Sequence, residues 1–258
     1  MTQIVDPQLV LQLPAERRAH LLAQLVALVS PARLQRMNAV LAARTAHLTV
    51  VFEDVYHPHN ASAVLRTAEC FGLQDVHIVE DTKLFRPSTH ISRGSARWLT
   101  LHRWQQDQGR GVEACLASLR DQGYVIVATS PAEDAVPLEQ LPLEKPVAVC
   151  FGTEETGLSP AAFAAADVRV AIHTPGFTRS LNVSVTAALV LYELATRLRA
   201  NGAAPPLPAQ RRDDLTLQWL AAESRSSRTL AYEALKDAGL LPPPRAPRPF
   251  FADRPRQD

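Results

Sequence analysis

The amino-acid sequence predicts an α/β fold, a mostly parallel sheet with helices on both faces, carrying helical extensions at its N- and C-terminal ends. Between residues 47 and 200, short apolar segments rich in β-branched residues alternate with helix-like segments, and this order is typical of a parallel sheet covered on both faces. The segment before it has helical spacing, and the segment after it is rich in proline. We therefore expect three parts, namely residues 1–46, 47–200 and 201–258.

The N-terminal extension, residues 1–46, is expected to be helical. Its apolar positions recur at the spacing of one helix face, at Leu21, Leu22, Leu25 and Leu28. Ser30-Pro31 interrupts the pattern, and a second helix is expected from about residue 32 to 43.

The central part contains five apolar segments that we expect to be strands, at residues 48–53, 75–79, 124–129, 146–152 and 168–172. Helices are expected between them and after them, at residues 58–71, 111–123, from Ser159 onward, and at 181–200. Gly72 and Gly123 stand where the first two of these helices should end.

The C-terminal part holds 9 of the 20 prolines. One helical piece is expected within it, from about Leu215 to Leu240, and the final proline- and arginine-rich stretch is expected to be extended or disordered.

The charge is distributed unevenly along the chain. Residues 47–200 hold 13 Lys and Arg against 17 Asp and Glu, whereas the two flanking parts together carry a net charge of +5. An anionic partner would be held more naturally by the flanks, although on charge alone a solvated surface explains the pattern equally well. There is no long apolar run and no secretory signal, and the three cysteines lie far apart in apolar stretches, so a cytoplasmic protein with buried thiols is expected.

Three stretches combine polar residues and glycines at strand ends, where open α/β sheets bind ligands. The first, HPHNASAVLRTAECFG (57–72), places Asn60 at a helix start and Arg66 six residues later. An N-cap and a surface ion pair are the simpler explanations of these two residues. His57 and His59 lack a third ligand at a sensible spacing, so no metal site is expected.

The second stretch, VAVCFGTEETGLS (147–159), carries Glu154 between two glycines, and the third, IHTPGFTRSLNVSVTAALVLYE (172–193), carries Ser180 and Asn182 before a long helix. Neither a P-loop nor a dinucleotide-binding glycine motif is present, and Ser180 does not lie in the G-x-S-x-G context of a hydrolase.

Taken together and in this order, the three stretches resemble the motifs of the SpoU group of the SPOUT RNA 2′-O-ribose methyltransferases, and the likeness runs from about Leu34 to Arg199. The resemblance implies a C-terminal trefoil knot, S-adenosylmethionine as cofactor, and a homodimer with active sites at the subunit interface. It also implies 2′-O-methylation of tRNA, at guanosine 18 of the D-loop. Ribosomal RNA, another tRNA position, and a non-catalytic RNA-binding role are the alternatives.

The same resemblance assigns the site residues. It implies a catalytic set of Asn60, Arg66, Glu154, Ser180 and Asn182, and a cofactor pocket lined by Thr129, Gly152, Ile172 and Leu181. A guanidinium is effectively never deprotonated. We therefore expect Arg66 to hold a phosphate and lower the pKa of the ribose hydroxyl, rather than to act as a base.

Candidate RNA-binding residues flank the central part. They are the arginines just before the first strand and at the end of the last helix: Arg33, Arg36, Arg44, Arg197 and Arg199. The short N-terminal extension favours tRNA, because ribosomal members of the group often carry a larger appended RNA-binding domain. Two departures from the family pattern, Glu155 beside Glu154 and the sequence GFTR at 176–179, bear on which nucleotide is selected.

Overall fold

The computed structural model describes residues 6–81, 85, 94–106, 109, 111–132, 134–178, 180–200, 202 and 204–241. The chain divides into two compact units, one of residues 37–209 and one that combines residues 1–36 with 210–258. The proline- and arginine-rich end expected to be extended, residues 242–258, lies outside the described residues.

The larger unit is built on a parallel sheet whose strands, within the described residues, follow the order β3-β2-β1-β6-β4-β7-β5. The strands are β1 (Leu48–Glu53), β2 (Asp75–Glu80), β3 (Thr100–Gln105), β4 (Val125–Thr129), β5 (Val136–Pro137), β6 (Val147–Phe151) and β7 (Val168–Ala171). β1 and β6 are buried at every position, which explains why both are mostly apolar rather than alternating between polar and apolar residues.

Helices cover both faces of the sheet. On one face α3 (Pro58–Cys70) and α6 (Val183–Ala200) pack on a core cluster that includes Val50, Phe52 and Val149. On the other face α4 (Val112–Asp121) and α5 (Pro160–Ala165) pack on a cluster that includes Val51 and Cys150. Successive strand residues point to opposite faces, so each strand supplies both clusters. The predicted fold class is confirmed.

Two strands of the sheet are absent from the sequence prediction. β3 (TLHRWQ) is mostly polar, and within the described residues it pairs only with β2, at the border of the sheet. β5 has two residues and, in the same described part, pairs only with β7. Neither strand has the apolar run that identifies the central ones.

The smaller unit is helical in its described part. It contains a 3₁₀ helix (Pro7–Gln12), α1 (Ala15–Ala27), the first turns of α2 (Pro31–Ala42), α7 (Ala209–Glu223) and α8 (Arg225–Asp237), and α1 packs on α8. The single helix expected over residues 215–240 is wrong. Ser224 adopts an extended conformation and its hydroxyl accepts the backbone N–H of Ser227 at 3.0 Å, so it ends one helix and caps the next.

The three cysteines are free thiols. Cys115 and Cys150 are buried, as expected, and burial raises the pKa of both thiols. The expected burial is wrong for Cys70, which is exposed at the last position of α3. In the described part of the chain, no helix is both long enough and apolar enough to cross a membrane.

Candidate functional site

A cavity of about 470 Å³ opens among the segments that follow β4, β6 and β7, at the carboxyl edge of the sheet. All four residues that the resemblance assigns to a cofactor pocket line it, namely Thr129, Gly152, Ile172 and Leu181. Its volume lies in the range of small-molecule sites, about 300–1,000 Å³. The position agrees with the general rule that parallel sheets bind ligands beyond the carboxyl ends of their strands.

The loop after β6 forms one wall of this cavity and is closed by backbone hydrogen bonds. The Thr153 N–H donates to the Gly157 carbonyl at 3.0 Å, and the Gly157 N–H donates to the Thr153 carbonyl at 3.1 Å. A Cβ at Gly152 would lie 2.1 Å from the Gly157 carbonyl group, and Gly157 has a φ of +70°. Both glycines are therefore required by the backbone path that presents Glu154 and Glu155.

Glu53 fixes the far end of the same loop. Its carboxylate accepts the backbone N–H of Ser159 at 2.8 Å, at the start of α5. Burial raises the pKa of this carboxyl, and the Ser159 N–H opposes the shift. The loop is thus attached at both ends to the centre of the sheet.

Asn60, Glu154 and Asn182 meet in one hydrogen-bonded network. The Asn60 Nδ2 donates to Glu154 Oε1 at 3.0 Å, and the Asn182 Nδ2 donates both to Asn60 Oδ1 at 3.2 Å and to Glu154 Oε1. The Val183 N–H reaches the same oxygen of Glu154 at 3.4 Å. A carboxylate at the N-terminus of α6 is also favoured by the helix dipole.

Asn182 is oriented by the helix that follows it. Its Oδ1 accepts the backbone N–H of Ser184 at 2.9 Å and the Ser184 hydroxyl at 2.5 Å. Because the oxygen is held on the helix, the amide nitrogen faces Glu154. Asn182 thus caps the start of α6, and this cap also orients the amide nitrogen toward the network.

Ser180 lines the cavity and is exposed. Arg66 is not brought to the network. It lies on the exposed side of α3, six residues beyond Asn60, which is about 9 Å along a helix axis, and it lines neither this cavity nor its neighbour. Within the described residues its guanidinium has no hydrogen bond or ion pair.

A second, smaller cleft of about 40 Å³ adjoins the network, between the segment after β1 and the loop after β6. Asn60, Glu154 and Glu155 line it together with Tyr56 and His57, whose ring centroids are 4.2 Å apart. From the sequence, His57 is considered only as a metal ligand, which its spacing does not favour, and Tyr56 is not singled out. No periodicity marks these two residues, and only the course of the chain after β1 brings their rings to the network.

Four of the five arginines predicted to bind RNA have structural partners within the described residues. Arg44 is 1% exposed, and its guanidinium donates to the Leu73 carbonyl and to the Glu69 carboxylate at 2.9 Å. Arg197 donates to the Leu138 and Leu141 carbonyls at 3.1 and 2.7 Å, and Arg199 donates to the Phe71 carbonyl at 2.7 Å. The burial of Arg44 argues against an RNA contact, because a guanidinium inside the core cannot reach a phosphate.

Arg33 and Arg36 lie on the first turns of α2. Arg33 forms a two-pronged ion pair with Glu223, with N–O distances of 2.7 and 3.1 Å, and this partner raises its pKa. Arg36 is exposed and has no hydrogen bond or ion pair within the described residues. Of the two, Arg36 is therefore the more available to a phosphate. Among the described residues, no group of three or more His, Cys, Asp or Glu side chains is placed to hold a metal ion.

Comparison with known proteins supports the motif assignment. The family model described as the SpoU rRNA Methylase family matches residues 47–192. A tRNA (guanosine(18)-2′-O)-methyltransferase of Borreliella burgdorferi is 38% identical over 184 residues, covering 71% of this chain and 82% of that protein.

Two solved structures are also similar. The TrmH/SpoU tRNA modifying enzyme of A. aeolicus has a TM-score of 0.64 and 26% identity, covering 78% of this chain and 96% of that one. The SpoU methyltransferase AviRb from Streptomyces viridochromogenes, in complex with the cofactor AdoMet, has a TM-score of 0.52 and 27% identity, covering 63% and 64%. The region matched by the family model contains the strands of the sheet and almost all of the three polar stretches. The chain therefore belongs to the SpoU rRNA methylase family.

Proposed function

We propose that this protein methylates the 2′-hydroxyl of a guanosine ribose in tRNA, at guanosine 18, with S-adenosylmethionine as the methyl donor. The observation that carries the proposal is the meeting of a cofactor-sized cavity with the network of Asn60, Glu154 and Asn182 at one edge of the sheet. The printed activity of the Borreliella relative supports the nucleotide, and the AdoMet complex of AviRb supports the cofactor.

The lining of the cavity fits this cofactor. Leu138, Phe151 and Val170 offer apolar surface to an adenine ring, and the surrounding loops offer backbone donors and acceptors. Glu154 and Glu155 share the lining, and none of its described residues is Lys, Arg or His, so a cationic ligand is favoured. When bound, S-adenosylmethionine supplies a methyl group made electrophilic by its sulfonium centre.

The network suits a role in positioning the ribose. A side-chain amide has two N–H donors. At Asn182 both are directed to Glu154 and Asn60, whereas Asn60 uses one on Glu154. We assign the remaining N–H of Asn60 to the ribose oxygen, where it would stabilise the developing alkoxide. Ser180, in the cavity lining, is a further hydroxyl donor for the bound ligands.

Arg66 requires a second copy of the chain in this scheme. Since it lies away from the cavity of its own chain, we propose a homodimer in which Arg66 of one copy completes the site of the other. Exposed apolar side chains on and just before α6 support such an interface; they are Leu181, Val185, Leu189 and Tyr192. There the guanidinium would hold the adjacent phosphate and favour the ionised ribose hydroxyl by its charge.

Complementation tests the shared site. Arg66→Ala and Glu154→Ala proteins are each expected to be strongly impaired, but after mixing and subunit exchange one intact site per heterodimer should restore about a quarter to a half of the activity of the wild type. A mixture that stays inactive although mass spectrometry detects heterodimers would contradict the shared site.

The remaining expectations follow from an RNA substrate. We propose that residues 1–46 and 201–258 hold the tRNA backbone, with Arg36 as the exposed contact, and that the protein works in the cytoplasm. We also propose that the chain following β6 forms the trefoil knot implied by the resemblance. Ribosomal RNA is the second candidate substrate, because the matching family model is described for rRNA methylases.

Mass-spectrometric mapping decides between these substrates. Purified protein, cofactor and either tRNA or ribosomal RNA that lacks modifications are incubated, and nuclease digests are searched for 2′-O-methylguanosine. We expect one methyl group in tRNA, lost when the target nucleotide is a 2′-deoxyguanosine. Methylation of ribosomal RNA alone would overturn the tRNA assignment, and methylation of neither would overturn the enzymatic one.

A further inference from the structure

The small cleft beside the network offers hydrogen-bond acceptors next to aromatic rings. It shares Thr153, Glu154, Glu155 and Val183 with the large cavity, and it adds Asn60 and the adjacent rings of Tyr56 and His57, which are tilted by 33° to each other. A nucleotide whose ribose reaches Asn60 therefore has this cleft within reach of its base. A volume of about 40 Å³ admits one edge of a base rather than a whole purine.

The two adjacent glutamates of the closed loop differ in what they contact. Glu154 Oε1 receives the amides of Asn60 and Asn182 and the Val183 N–H. Glu155 is exposed, and its carboxylate has no hydrogen bond or ion pair within the described residues. The loop that carries both is held by its backbone bridge, so the Glu155 carboxylate is presented from a fixed backbone with both oxygens available.

Guanine is the base that matches such an acceptor. Its Watson–Crick edge presents two neighbouring donors, N1–H and the N2 amino group, which fit the two oxygens of one carboxylate. Adenine and cytosine each present one amino donor beside an acceptor nitrogen, and uracil presents a single N–H between two carbonyls. A carboxylate therefore repels part of the edge of every base except guanine. Bases taken out of a stack are commonly read in this way, by hydrogen bonds to that edge and by aromatic stacking.

We propose that Glu155 is a specificity-determining residue, which accepts the N1–H and the N2 amino group of the target guanine while the base stacks on the Tyr56–His57 pair. This inference rests on the proposed function, since it names the part of the same site that selects the base. His57 and Tyr56 bind any base by stacking, and Glu155 confers the preference for guanine.

Inosine at the target position isolates the contact, because it keeps N1–H and lacks only the N2 amino group. With tRNA transcripts carrying guanosine or inosine there, we expect the kcat/KM of the wild type to be about 10- to 100-fold higher for guanosine, the usual range for one hydrogen bond to a charged acceptor. In Glu155→Gln, one carboxylate oxygen is replaced by an amino group that opposes N2, so the ratio should fall below about 2. Glu144→Gln, which neutralises another exposed carboxylate of the same unit, should keep the ratio of the wild type.

The outcomes separate the two proposals. An active wild type whose guanosine-to-inosine ratio survives in Glu155→Gln overturns the reading of the base by Glu155 and leaves the proposed function intact. A raised cofactor Kd in Glu155→Gln with an unchanged ratio assigns the carboxylate to the cofactor and likewise overturns it. A wild type that transfers no methyl group to the guanosine transcript overturns the proposed function, and this inference with it. Thermal unfolding confirms that each variant is folded.

Discussion

Removing the Glu154 carboxylate should separate the network's contribution to catalysis from its contribution to folding. In Glu154→Ala the amides of Asn60 and Asn182 lose their shared acceptor, which they reach by one hydrogen bond each. Each bond contributes about 1 kcal/mol at an exposed site, so about 2 kcal/mol of positioning is lost. With tenfold in rate for each 1.36 kcal/mol, kcat should fall about 30-fold.

The assay is transfer of a radiolabelled methyl group to tRNA under saturating substrate, with thermal unfolding measured in parallel. Glu154→Gln keeps an oxygen that can accept one amide and should lose less, about fivefold. Because Glu154 is exposed, the free energy of unfolding should fall by only about 1 kcal/mol, which corresponds to a change in Tm of no more than about 4 °C. Glu144→Ala is the matched control and should match the wild type in both measurements. A Glu154→Ala protein within threefold of wild-type kcat would refute the positioning role, and a Tm lower by more than 10 °C would show that the carboxylate serves the fold instead.

Three further variants test residues outside the site. Arg44→Met removes a buried guanidinium together with its hydrogen bonds to a backbone carbonyl and a carboxylate. Unfolding in urea should therefore show a free energy of unfolding lower by about 3 kcal/mol, while the Kd of the folded protein for RNA stays unchanged. Weaker RNA binding at unchanged stability would contradict the structural role of Arg44. Arg36→Gln should weaken tRNA binding and lower the slope of log K against log salt by about 1, and an unchanged slope would exclude a phosphate contact. Burial lowers the pKa of His77 to about 4 from 6.5, so the folded protein is stabilised by the neutral form of this side chain. This stability is complete above pH 6.5 and is lost as the pH falls toward 4, about 3 kcal/mol in total. His77→Gln should flatten this part of the pH profile of the free energy of unfolding, and a profile identical to that of the wild type would exclude His77 as the cause.

The central strands were predictable because their environment leaves a clear mark on the sequence. β1 and β6 are buried on both faces, and burial on both faces favours a mostly apolar segment rich in β-branched residues. β3 carries no such run, since it borders the sheet and exposes part of its surface. The break at Ser224 was missed because its hydroxyl caps a helix through a local contact that periodicity does not report.

The site was predictable from its ordered motifs but not from physical spacing alone. Asn60, Glu154 and Asn182 lie far apart in the chain and meet because three strand ends share one edge. The contacts of each arginine could not be predicted, because an arginine in a helix or just after one gives the same sequence pattern in two cases: when its guanidinium faces solvent, as in Arg36, and when it donates to backbone carbonyls, as in Arg44 and Arg197. Only the packing of the neighbouring segments decides between the two.

The place of β6 in the sheet sets an order of events during folding. β6 lies between β1 and β4, and its first residue, Val147, pairs with both Leu48 and Val125. Until β6 has been synthesised, β1 and β4 each keep an open inner edge, and closing them requires contacts between distant parts of the chain, which form slowly. The loop that carries Glu154 and Glu155 follows directly after β6. A nascent chain therefore cannot assemble the proposed methyl-transfer site before the centre of its sheet is closed, so ligand binding reports on the completed fold.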